Sequence, residues 1–140
     1  CLIVPLYGMM QSDDQRNVFE PVPESCRKLV FCTNIAETSL TVDGVGYVVD
    51  AGYCKMKNFN PKTGMETLSV TEISQVQATQ RSGRAGRTQD GKCFRLYTEE
   101  TYSKRFAKVT MPEILRSNLS SVCLQMKAMG VHDVLHFDFM

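Results

Sequence analysis

"RKLVFCTNIAETSLTVDGVGYVVDAG", residues 27–52, decides the fold by its order of apolar and polar residues. "RKLVFCTN" is a short continuous apolar run of the kind found in strands buried on both faces. After the polar "IAETSLT" the pattern returns in "VGYVVDAG". Strands separated by helical stretches point to a parallel α/β sheet. Upstream, "LIVPLYG" is a short apolar run ended by glycine. "SDDQRNVF" then reads as a helix start, with Ser12 and Gln15 in capping-box spacing. Downstream, residues 53–70 hold two β-type runs around the turn signal "NPKTG", which predicts a hairpin. A helix over about residues 75–84 and the strand "CFRLY" follow.

Beyond residue 110 the character changes. "MPEILRSNLSSVCLQMKAMG" has a proline suited to a first helical turn and a glycine suited to the C′ position. Ile114, Leu115, Leu119, Val122, Cys123 and Met126 fall on one helical face, which predicts a core face. That core belongs either to this sheet or to a following domain.

The chain has 140 residues, 43% of them hydrophobic, enough for one domain or one domain and the start of another. Its net charge of +1 argues neither for nor against a polyanionic partner. No apolar run approaches the ~20 residues that cross a membrane. The opening "CLIVPLYGMM" lacks the basic stretch and small-residue cleavage site of a signal peptide, and reads as a strand in an excised fragment. Six scattered cysteines without C-x-x-C, and two histidines near the end, make a zinc site improbable. Free thiols in a reducing compartment, nuclear or cytoplasmic, are expected.

"TQRSGRAGR", residues 79–87, places two glycines among three arginines. In a helix interior each glycine costs about 1 kcal/mol relative to alanine. At about 100° per residue, a continuous helix would set Gln80, Arg84 and Arg87 on one stripe, with Arg81 pointing elsewhere. Two guanidiniums a turn apart suit an anion with several oxygens. A solvated basic face, or ion pairs to distant carboxylates, is the plainer alternative.

"TNIAETSLTVDG" (33–44) resembles motif V, and "QRSGRAGR" (80–87) motif VI, of the DEAH-box RNA helicases. "YVVDAG", "GKCFRLYTEE" and "PEILRSNL" resemble the same family in the same order. The resemblance implies an α/β fold: a RecA-like parallel sheet flanked by helices, with an inserted β-hairpin and a C-terminal helical segment. Residues 1–110 are then expected to be the second RecA-like domain, lacking its opening strand, and 111–140 the start of a winged-helix domain. Ala51 stands where the family usually has proline or serine. The G-x-x-x-x-G-K-[ST] phosphate loop and D-E-A-H stretch are absent from these residues and belong to the family's first RecA-like domain.

By this resemblance Gln80, Arg84 and Arg87 reach the nucleotide's γ-phosphate. Arginine fingers are worth about 10³ to 10⁵ in rate, or about 4 to 7 kcal/mol, more than the about 2 kcal/mol two helical glycines would lose. The family also implies Phe19 against the nucleotide base, Ser39 near the phosphates, and Thr41 and Asp43 at the ribose. Without the flanking motif, Phe19 reads as core and Asp43 as a turn residue before Gly44. Thr33 and Asn34 end a strand where α/β sheets bind ligands, and the family sets this position on the RNA backbone. The hairpin lysines Lys55, Lys57 and Lys62 are implied beside RNA, although lysine also guards exposed strand edges.

The implied cofactor is ATP, with GTP, CTP and UTP accepted. Mg²⁺ is expected to be held mainly by the first RecA-like domain, and no metal by this chain. Implied partners are RNA, the other domains of the same chain and an activating protein, with no membrane; movement on RNA is 3′ to 5′. A DExH helicase acting on DNA and a non-catalytic RNA- or protein-binding module remain alternatives.

Overall fold

The computed structural model describes residues 1–23, 25–38, 40 and 42–139, without the side chain of Thr38. It divides into two compact units, Cys1–Cys54 with Thr71–Thr110, and Lys55–Val70 with Met111–Met140. In the first unit, β1 (Leu2–Leu6) leads through α1 (Ser12–Arg16) to β2 (Lys28–Cys32), which pairs parallel with β1 from Leu2↔Lys28 to Leu6↔Cys32. The single turn α2 (Ile35–Thr38) follows, then β3 (Tyr47–Asp50). β4 (Tyr53–Asn60) and β5 (Met65–Glu72), most of whose residues belong to the second unit, pair with each other around the 60–64 turn, forming the expected hairpin. α3 (Gln75–Ser82) leads to β6 (Lys92–Arg95), which lies parallel to β3. α4 (Glu99–Lys104) closes the unit's helices.

Parallel neighbours require a crossover connection, and that brings the strands' C-terminal ends to one edge. The Thr33 amide donates to the Leu6 carbonyl at 3.0 Å, so the chain leaves β2 beside the end of β1. Val4, Leu6 and Val18 form a buried cluster, with Val30, Ile35, Ala36, Leu40 and Val42 packed against it. The segment after α1 that carries Val18, α2 and the loop after α2 are thereby seated on one face of the β1–β2 ladder.

Three sequence expectations need correction. β2 is not buried on both faces: Leu29 and Phe31 are 46% and 67% exposed, because these elements cover only the Val4–Leu6–Val30 side. The Ser12–Gln15 capping box does not form. Gln11 is the N-cap and makes no side-chain cap bond, while the Gln15 amide turns back to the Met10 carbonyl at 3.1 Å. A full capping box forms instead at α3, between Ser74 and Gln77.

In the second unit the segment after residue 110 is two pieces, not one helix: a 3₁₀ turn at Glu113–Leu115, then α5 (Ser120–Ala128). Asn118 separates them, its side-chain oxygen accepting the Ser120 amide at 3.0 Å, which starts a new helix. Met126 is buried, but Leu115 and Val122 of the expected core face are exposed. Gly130 does occupy the C′ position, with φ +89°.

Leu6 is fully buried and Met9 almost fully exposed. Leu6→Ala is expected to lower unfolding free energy by about 2–5 kcal/mol, and Met9→Ala to stay within about 0.5 kcal/mol, both read from urea denaturation.

Candidate functional site

α3 stops at Ser82, and Gly83 caps it. Arg84 and Arg87 therefore lie beyond the helix, and the helical stripe of Gln80, Arg84 and Arg87 does not exist. The glycines cost no helix, because neither is inside one. Gly86 has φ +85°, which a side-chain-bearing residue rarely adopts. A Cβ on Gly91 would lie 2.4 Å from the Gly86 nitrogen, so the two glycines let this loop close backbone against backbone.

Arg84 is turned toward the segment after β2. Its Nη1 donates to the Leu40 carbonyl at 3.2 Å and its Nη2 to the Glu37 carbonyl. Its Nε is buried without a hydrogen-bond partner among the described residues. Gln80 and Arg87 are exposed.

Arg81, which the helical stripe left aside, holds the centre of the unit. Its Nε donates to Glu37 Oε2 at 3.0 Å, its Nη1 to Asp50 Oδ1 at 2.8 Å, and its Nη2 to the Tyr53 carbonyl at 3.2 Å. Both carboxylates are buried, that of Asp50 completely. Burial opposes the Arg81 charge, but the bonds to Asp50 and Glu37 outweigh it and raise its pKa above the usual arginine value. The second Asp50 oxygen accepts the Tyr97 hydroxyl at 2.8 Å, and the Gly52 amide donates to Oδ1 at 3.0 Å. Burial first, and then the bond to Asp50, push the Tyr97 phenol far above the ordinary tyrosine range.

Phe19 and Asp43, distant in sequence, line one cleft of about 350 Å³ with Val18, Val42 and Lys28 among its walls. Phe19 is 48% exposed, unlike its neighbour Val18 in the core. Lys28 Nζ donates to the Val18 carbonyl at 2.8 Å and to the Glu20 carbonyl, clamping the chain on either side of Phe19. Asp43 also leads into a turn, with Gly44 at φ +73°, so the turn role and a cleft position coexist.

Comparisons with known proteins give the family and the fold. The helicase conserved C-terminal domain family matches residues 2–89. The pre-mRNA-splicing factor ATP-dependent RNA helicase prp22 of Schizosaccharomyces pombe is 56% identical over 139 residues, 99% of this chain and 12% of that protein. The chain belongs to the DEAH-box helicase C-terminal domains. Two crystal structures of Escherichia coli HrpB, titled a DExH-box NTPase and a DEAH/RHA helicase, are each 42% identical. They align with TM-scores of 0.81 and 0.85, covering 94% of this chain and 16% and 17% of theirs. The fold is RecA-like, with the hairpin inserted. The chain spans about an eighth of the curated relative's length.

Within this helicase domain the motif V and motif VI segments meet through the Arg84 and Arg81 bonds to Glu37 and Leu40. Thr33 and Asn34 are exposed at the C-terminal end of β2. Ser39 and Thr41, the expected phosphate and ribose residues, lie outside the described residues. In the second unit Lys55 and Lys57 are exposed on β4, and Lys57 pairs across the hairpin with Glu66 at 3.0 Å. Among the described residues no three His, Cys, Asp or Glu side chains gather to hold a metal ion, and no helix is long and apolar enough to cross a membrane.

Sequence reasoning missed Arg81, Glu37, Asp50, Tyr97 and Lys28. A signal existed for one of them: Asp50 ends the apolar run of β3, and a carboxylate placed there demands a partner.

Arg81→Met leaves both carboxylates buried without their cation and is expected to cost about 3–5 kcal/mol of stability. Tyr97→Phe removes one bond to a charged acceptor and is expected to cost about 1.5–3 kcal/mol. Urea denaturation of the two variants checks the order.

Proposed function

We propose that this chain is the part of an ATP-driven RNA helicase that closes the nucleotide site and grips RNA. The observation that carries this reading is the cleft where an exposed Phe19 faces the same space as Asp43. An aromatic held half in water by Lys28 has a free face for a base, and a carboxylate nearby can accept ribose hydroxyls. Stacking uses a face that every base has, so ATP, GTP, CTP and UTP are expected to serve with similar efficiency. Those residues fit a nucleoside, while Mg²⁺ is assigned mainly to the first RecA-like domain of the longer protein.

Arg84 supplies the phosphate-side chemistry in this reading, with Gln80 and Arg87. A guanidinium has five N–H donors. Among the described residues two of Arg84's go to the Leu40 and Glu37 carbonyls, which leaves one on each terminal nitrogen for a phosphate oxygen. Such donors stabilise charge on the transferring phosphoryl group. Ser39 and Thr41 complete the nucleotide contacts by family resemblance.

Thr33 and Asn34, at the strand end where α/β sheets bind ligands, meet the RNA backbone, and Lys55 and Lys57 of the hairpin lie along the RNA. Residues 1–110 are assigned to the second RecA-like domain and 111–140 to the start of a winged-helix domain, supported by the change of compact unit after Thr110. The splicing role in the fission-yeast relative's name supports pre-mRNA as the RNA and a nuclear location, while an activating protein partner rests on the family resemblance alone.

The 140-residue chain alone is expected to show no steady ATP turnover, because it holds one wall of the site. In the full-length protein, Arg87→Ala is expected to lower kcat at least about a hundredfold and leave nucleotide-free RNA binding nearly unchanged. Weakened RNA binding with normal kcat would instead make this segment a basic RNA face. Phe19→Ala is expected to raise KM for all four nucleotides about tenfold, the equivalent of about 1.4 kcal/mol, at nearly constant Tm. A large fall in Tm would return Phe19 to the core.

A further inference from the structure

Glu37 is bonded at both its ends, and to two different arginines. Its carboxylate, 6% exposed, accepts from Arg81 Nε at 3.0 Å. Its main-chain carbonyl accepts from Arg84 Nη2, beside the Leu40 carbonyl that accepts from Nη1. Its amide donates back to the Asn34 carbonyl at 3.0 Å, so it also closes the single turn that begins after Thr33 and Asn34. One residue therefore joins the proposed RNA-side turn to the proposed phosphate-side arginine.

The mechanics follow from the shortness of α2. A four-residue helix is about one turn, with no interior to absorb a displacement of one end. Arg81 fixes the Glu37 side chain, and Arg81 is itself anchored by the buried Asp50. With the side chain pinned, movement at Asn34 becomes rotation about that pin, and the carbonyls of Glu37 and Leu40 carry Arg84 with them. Among the described residues Arg84 Nε has no acceptor, and the guanidinium is held through its terminal nitrogens by those two carbonyls.

We propose that Glu37 is a positioning residue that couples RNA at Thr33–Asn34 to the placement of Arg84, and so to RNA-stimulated nucleotide hydrolysis. The inference rests on the roles given to Asn34 and Arg84 under the proposed function. It adds a specific conduit that neither role requires, since each could act without the other.

The test uses the full-length protein and a single-stranded oligouridine. Glu37→Met keeps the side-chain length, removes the acceptor and leaves Arg81 paired one to one with Asp50. Stimulation of ATP hydrolysis by the oligouridine is expected to fall about tenfold or more, within the range usual for coupling between sites. Hydrolysis without RNA, and RNA binding without nucleotide, are expected to stay within about threefold, since neither needs the link. Glu37→Gln, which keeps an acceptor for Arg81, is expected to recover part of the stimulation. Should Glu37→Met fail to fold, Arg81→Lys replaces it: the charge beside Asp50 stays, the fork to Glu37 is lost, and the same selective loss is expected. Undiminished stimulation in a folded variant overturns the proposal. So does a parallel fall of basal and stimulated rates, which would mark Glu37 as merely structural. Absence of any stimulation in the unsubstituted protein would overturn the proposed function itself, and this inference with it.

Discussion

One guanidinium between two buried carboxylates organises the first unit. Arg81 reaches Glu37 on α2, Asp50 at the end of β3 and the Tyr53 carbonyl at the start of β4. Coulomb attraction alone does not make such a cluster favourable, because desolvating each ion costs several kcal/mol. The balance is met by hydrogen bonds: Asp50 also accepts from Tyr97 and Gly52, so its carboxylate is shared among three donors. Two carboxylates against one cation leave an excess negative charge, and those neutral donors help to carry it. The cluster's value lies in geometry. Apolar packing would hold these elements together with equal strength but would allow them to slide.

The loop after α3 shows the complementary use of glycine. A side chain at Gly91 would strike the Gly86 backbone, and Gly86 needs its positive φ. Closing this loop backbone against backbone brings the chain from the end of α3 at Ser82 to the start of β6 at Lys92. Arg84 sits on that turn, so its direction is set by a loop rather than by helical periodicity.

The parallel strand pairs, the hairpin and the family were legible in the sequence because each has a local signature: an apolar run, "NPKTG", and two motifs in order. The cleft's two principal residues were legible only through the family, since Phe19 and Asp43 meet by folding and no spacing announces it. Arg81 was misjudged for a physical reason. The 100° rule was carried through Gly83, where the helix ends, so it drew Arg84 and Arg87 onto a helical stripe that does not form and left Arg81 without a role. The split of the C-terminal helix at Asn118 was missed for a similar reason, because apolar periodicity continued across a residue whose side chain competes for backbone amides.

The uncovered face of the strands has a practical consequence. Ile3 and Leu29 stand opposite each other on it, as do Pro5 and Phe31, and Val49 and Phe94 in the other ladder. Most of these side chains are more than half exposed. With a net charge of +1 and a pI near 7.8, the chain has little electrostatic repulsion near neutral pH to keep such faces apart. Colloidal behaviour, more than folding stability, therefore governs how this piece is handled in solution: it favours dilute preparations, pH well away from the pI, and crystallisation trials that expect the bare faces to find one another first.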